Sequence, residues 1–125
     1  MDLTTLRPED TRSSVLNLVQ KVSRLRDEYP DYPLPASICV NPNFASTVRD
    51  NRVSEDLHVT CVAGCFPSSQ SFLEVKVREV ELAIENGADE IDIVLALNAF
   101  LGGKEEAAAE EIRTIKKVCG DSVIL

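Results

Sequence analysis

Short apolar runs alternate with longer amphipathic stretches along the chain, which predicts a strand followed by a helix, repeated. Met1–Leu6 reads as a first strand and Pro8–Thr11 as a turn. Val15, Leu18, Val19, Val22 and Leu25 then recur with helical period to about Glu28, with Thr11 placed to cap the helix. Three prolines in Tyr29–Pro35 make that tract a connection. Ser37–Val40 reads as a second strand. Asn41-Pro42 forms a helix entrance, with Phe44 and Val48 on one face of a short helix. His58–Ala63 is a third strand, and Gly64–Ser69 a loop. Ser71 and Glu74 match a capping box ahead of a stripe of Leu73, Val77, Val80 and Ile84. Gly87 stops this helix and Glu90–Leu95 is a fourth strand. After Gly102-Gly103 a further helix runs from about Lys104 to Cys119, packing through Ala108, Ile112, Ile115 and Cys119. Ser122–Leu125 opens a fifth strand.

The order βαβαβαβαβ predicts parallel strands joined by right-handed helical crossovers, an α/β fold. Two architectures satisfy it: a five-stranded doubly wound sheet, or the first four βα units of an eight-stranded barrel with the start of strand five, an incomplete TIM barrel. Shortness favours the first. The bare apolar ending at Val123-Ile124-Leu125, without a closing helix, favours the second.

Size adds that 125 residues make one domain. A hydrophobic share of 44% supports a core, and 27% charged residues argue against general disorder. The formal net charge of -8 disfavours nucleic acid and anionic membranes as partners. No apolar run is long enough to span a bilayer. Asp2 and the lack of an apolar leader argue against secretion. Cys39, Cys61, Cys65 and Cys119 read as free thiols of a reducing cytoplasm. Cys61-x3-Cys65, with only His58 nearby, is a weak metal pattern, and no metal is expected.

Asp92 is the most informative polar residue. Strand alternation sends Ile91, Ile93 and Leu95 one way and Glu90, Asp92 and Val94 the other. Asp92 then faces the interior if the sheet curls, where its proton affinity is open to tuning; a purely structural carboxylate is the competing reading. Asp2 shares a face with Thr4 on the first strand. Cys39 sits mid-strand and reads first as a core thiol, and Asn41 first as a cap. In the loop Gly-Cys-Phe-Pro-Ser-Ser-Gln, Ser68, Ser69 and Ser71 are either anion ligands at a helix entrance or turn and cap residues. Lys21, Lys76, Lys104, Lys116 and Lys117 fall in helices or the loop leading into one, and are expected at the surface. His58 opens the third strand at the end opposite the expected site, so no Ser–His–Asp or Cys–His arrangement emerges.

MDLTTL at the start, ICVNP around Cys39, VAGCFPSS, and above all NGADEIDIVL resemble deoxyribose-phosphate aldolase, in order from Met1 to Leu125. The resemblance implies a class I aldolase on a TIM barrel, free of metal and cofactor. Such an enzyme cleaves 2-deoxy-D-ribose 5-phosphate to D-glyceraldehyde 3-phosphate and acetaldehyde through a lysine Schiff base. It implies proton relay for Asp92 and a place in the substrate pocket for Asp2 and Cys39. The family's strand-five lysine, Schiff-base lysine on strand six, strand-seven lysine and phosphate loops have no counterpart in this sequence. Residues 1–125 are therefore expected to be a single partial barrel domain, inactive alone. Its open edges are expected to pair with another copy or with a complementary carboxyl-terminal half. A stand-alone doubly wound module binding a phosphate ligand near Ser68–Ser71, or an assembly fragment, is the alternative.

Overall fold

The computed structural model describes every residue from Met1 to Leu125. Four strands, β1 (Asp2–Thr4), β2 (Ser37–Val40), β3 (His58–Val62) and β4 (Glu90–Asp92), form one parallel sheet in the order β1-β2-β3-β4. The helices are α1 (Arg12–Glu28), α2 (Ala45–Arg49, after a 3-10 turn at Pro42–Phe44), α3 (Leu73–Glu85), α4 (Leu97–Leu101) and α5 (Glu105–Cys119). The fifth strand amounts to a single bridge: Ile91 N–H donates to Ile124 O at 2.8 Å and Ile124 N–H to Asp89 O at 3.1 Å.

The core lies on one side of the sheet. Ile38, Val40, Val59, Cys61 and Ile91, all pointing one way, meet Val15, Val19 and Val22 of α1, Val48 of α2, Val80 and Ala83 of α3, and Ile115 and Cys119 of α5. Helices gathered on one face, with no part of their apolar core on the opposite face, make this an open segment of a barrel wall rather than a doubly wound sheet, which carries helices on both faces. The barrel is not closed.

Local chemistry explains the elements. Thr11 begins α1 with a reciprocal capping box: its hydroxyl accepts from Ser14 N–H at 3.1 Å, and the Ser14 hydroxyl accepts from Thr11 N–H at 2.9 Å. Asp10 gathers Thr5 Oγ1 at 2.6 Å, Arg7 N–H at 3.0 Å and Ser14 Oγ at 3.0 Å. Those hydrogen bonds, Thr5's first, hold its carboxyl below the usual carboxylate range. Asp89 locks the start of the sheet. It accepts from Arg52 Nη1 at 2.6 Å and from Val59 N–H at 3.0 Å, so one carboxylate sets the β3–β4 register from beneath.

Several expectations need correction. No capping box forms at Ser71, because α3 starts at Leu73 and Phe72 occupies the cap without a side-chain bond. Asn41 caps nothing with its side chain; only its carbonyl is used, by Phe44 N–H at 2.9 Å. The fourth strand stops at Asp92 rather than Leu95, and the apolar tract beyond it turns into α4, a helix too short to show a period. In α5, Ala108, Ile115 and Cys119 are buried, but Ile112 is 37% exposed. In α3 Val80 is buried as expected, but the other fully buried positions are Lys76 and Ala83, while Leu73, Val77 and Ile84 are half-buried.

Gly87 makes the tight return from α3 to β4. Its φ is +105°, and an added Cβ would lie 2.5 Å from Arg49 Cδ and 2.7 Å from Arg49 Nη1, displacing the Arg49 hydrogen bond to Asn86 O. Gly103 also has a positive φ, +73°, but open space around it. Gly87→Ala should therefore cost about 2–3 kcal/mol in a urea or guanidinium titration and Gly103→Ala about 1 kcal/mol. Equal losses would mean that backbone strain alone matters at Gly87.

Candidate functional site: the polar face of the sheet

The register builds the uncovered face in rows. Asp2, Ser37 and His58 align across β1, β2 and β3. Thr4, Cys39, Thr60 and Glu90 align across all four strands. Val62 aligns with Asp92. Strand alternation sends all of these to one side, the side opposite the apolar core. Only Val62 among the nine is a hydrocarbon. Asp2, Thr4 and Asp92 are exposed, while Ser37, Cys39 and Thr60 are buried.

A hydrogen-bonded chain crosses the middle of the face. Thr60 Oγ1 lies 2.7 Å from Ser37 Oγ and also bonds Glu90 Oε2. One hydroxyl proton cannot serve both, so the Thr60 proton goes to the carboxylate and the Ser37 hydroxyl donates to Thr60. His58 Nδ1 lies 3.5 Å from Glu90 Oε1, buried and without a hydrogen-bond partner.

The three residues singled out from sequence come together here. Cys39 is 5% exposed. Its thiol is pushed up from 9.0 to about 11, first by burial and then by the negative charge of Asp92, with Asp2 and Glu90 adding to it and a hydrogen bond with Thr4 opposing. Three carboxylates thus act on one sulfur. At neutral pH Cys39 is a protonated thiol, suited to lining a pocket and unsuited to nucleophilic attack. Asp92 stands at the carboxyl end of β4, where its carbonyl accepts Ala63 N–H at 2.9 Å. No strand carries a lysine or arginine. The face therefore offers proton acceptors and hydrogen-bond acceptors, but no amine.

The serine loop has other duties. Ser69 is buried and bonded to Lys76 Nζ at 2.9 Å. Ser68 Oγ accepts Gln70 N–H at 3.2 Å. Cys65 N–H donates to Glu79 Oε2 at 2.8 Å. Lys76 corrects the expectation of five surface lysines: it is 1% exposed and lies 2.6 Å from Glu111 Oε1. Periodicity reading counts lysine as polar and missed it. The available signal was its spacing from Val80 and Ala83, four and seven residues along one helix face.

All four cysteines are free. Cys39, Cys61 and Cys119 are buried, and Cys65 is half-buried in the loop. A native thiol titration at neutral pH should label Cys65 rapidly and the other three only on unfolding. Burial raises Cys39 to about 11 and Cys61 to about 12. The folded state thus keeps protons that the unfolded chain releases, so stability is intact below pH 9 and is lost as pH rises through 11 and above. Cys39→Ala should flatten the lower part of that alkaline decline. An unchanged curve would show that Cys39 does not carry it.

Comparison with known proteins places this geometry. The family model described as DeoC/LacD family aldolase matches residues 1–125. A deoxyribose-phosphate aldolase of Clostridium botulinum (strain 657 / Type Ba4) is 34% identical over 124 residues, covering 99% of this chain and 54% of that protein. Among solved structures, the aldolase QR15 superposes with a TM-score of 0.83 at 28% identity, covering 98% of this chain and 50% of that one. The tetrameric deoxyribose phosphate aldolase from Aeropyrum pernix gives 0.69 at 27% identity, covering 94% and 46%. The chain spans about half the length of the relatives it matches. A one-sided parallel sheet with a carboxylate-lined inner face, matched end to end by this family's model, belongs to the DeoC/LacD family of aldolases.

Proposed function

We propose that residues 1–125 form one partial barrel domain that supplies the amino-terminal wall of a deoxyribose-phosphate aldolase site. The supporting observation is the gathering of Asp2, Cys39 and Asp92 on a single polar face. The substrate is 2-deoxy-D-ribose 5-phosphate. An amine condenses with its aldehyde carbon and expels water. The C2–C3 bond then breaks, with the electron pair moving toward the iminium nitrogen and the C3 hydroxyl proton departing to a base. D-glyceraldehyde 3-phosphate leaves, C2 takes up a proton, and hydrolysis of the imine frees acetaldehyde. Asp92 moves protons in this sequence. Asp2 and Cys39 line the pocket, and no metal or cofactor is required.

The amine must come from outside these residues. Lys76 is buried against Glu111, Lys116 Nζ is engaged with Gly120 O and Val123 O, and none of the five lysines lies on a strand. Charge also indicates what completes the wall. The face carries Asp2, Glu90 and Asp92 without a cation, so a second copy would bring six carboxylates together. A polypeptide half with inward lysines would neutralise them, and lysines beside carboxylates are what imine chemistry uses. Four free thiols accord with a cytoplasmic setting. The phosphate-module reading loses support, because Ser69, its central serine, is buried under Lys76.

Treated alone with substrate and cyanoborohydride, the chain should give no covalent adduct and no acetaldehyde; an adduct on any of its lysines would overturn the reading. Joined to the carboxyl half of the Clostridium botulinum relative, Asp92→Asn should lower turnover by at least about 100-fold relative to the joined parent. Equal turnover would remove Asp92 from the chemistry.

A further inference from the structure

Lys76 is the largest side chain among those fully buried, and the aldolase chemistry has no use for it. Its Nζ joins three parts of the fold: α3, on which it sits; Glu111 of α5, 2.6 Å away; and Ser69 Oγ of the β3–α3 loop, 2.9 Å away. Ser69 Oγ also lies 3.3 Å from Glu111 Oε1, which closes a triangle. We propose that this triangle is a latch, and that Lys76 is a positioning residue fixing the loop Gly64–Gln70 at the carboxyl end of β3, beside Asp92.

The loop needs such a latch. Cys65 and Ser69 have φ of +61° and +55°, left-handed values that non-glycine residues hold only when tied down. Cys65 is tied through its N–H to Glu79, and Ser69 through its hydroxyl to Lys76. The loop also bears on the site. Ala63, just before it, donates to Asp92 O, and the Cβ position of Gly64 lies 3.2 Å from Ile93 Cγ2, one residue past Asp92. A loosened loop removes that backing from the end of β4.

Global stability is a poor explanation for a buried lysine. An apolar pair of similar volume commonly serves as well as a buried ion pair, or better. Hydrocarbon would fill the space between α3 and α5 but would not hold Ser69. The latch is a statement about loop geometry and stands whether or not the aldolase reading does.

Cys65 lies inside the loop, and its thiol reports on it directly. In the 125-residue chain, the double variant Lys76→Met, Glu111→Leu and the single variant Ser69→Ala should each raise the native labelling rate of Cys65 with a thiol reagent by about tenfold or more. Cys39, Cys61 and Cys119 should stay protected. Combining all three substitutions should add nothing further, because they cut the same tie. The latch is refuted if Cys65 labels at the parent rate, or if all four thiols speed up together, the mark of general loosening. Should the double variant fail to fold, Ser69→Ala decides by the same two readings.

Discussion

A strand sends successive side chains to opposite faces, and in this sheet that alternation sorts hydrocarbon from polar groups almost completely. Ile38, Val40, Val59, Cys61 and Ile91 go one way and are buried beneath the helices. Asp2, Thr4, Ser37, Cys39, His58, Thr60, Glu90 and Asp92 go the other. The hydrocarbon face accounts for the helices lying on one side. The polar face accounts for their absence from the other, since no helix can bury its apolar stripe against carboxylates without cost. Site and fold are thus two consequences of one alternation. Shifting β4 by one residue would put Glu90 and Asp92 into the core and Ile91 into the pocket.

The polar face is internally consistent yet chemically incomplete. Thr60, Ser37 and Glu90 satisfy one another, and Cys39 sits protonated in the field of three carboxylates. No cation answers that field from within the face. The backbone has a matching gap. Met1 O accepts from Ala36 N–H and Thr5 N–H donates to Cys39 O, so alternate groups of β1 serve β2, while those of Asp2 and Thr4 point to the free edge. The carboxylate face adjoins this unpaired edge at β1, so missing charge and missing hydrogen bonds lie side by side. A strand bearing inward basic groups would supply both.

Much of this was legible from residue order. The βα alternation, the Thr11 cap, the extent of β2 and the turning of Asp92 away from the apolar face need only periodicity and capping rules, whereas the place of Asp2 and Cys39 beside it comes from the family resemblance. Other features depend on partners distant in sequence. Lys76 looks exposed until Glu111 and Ser69 are brought to it across 35 and 7 residues. The fourth strand looks longer because Ile93, Val94 and Leu95 are as apolar as a strand, but the ladder ends where Asp92 O takes Ala63 N–H. Ser71 satisfies a capping pattern, yet α3 begins one residue too late for it. Ile112 fits a helical stripe, but it lies at the margin of the buried face and stays 37% exposed.

The central claim is that the carboxylate face and the β1 edge beside it are open and take a complementary half. Amide hydrogen exchange at Thr4 tests this most directly. In the monomeric chain that amide should exchange at nearly the rate of an unstructured peptide. It should slow by about tenfold or more once the carboxyl half of the Clostridium botulinum relative is bound. A Thr4 amide already protected in the lone monomer, or one that stays fast inside the formed complex, would contradict the account.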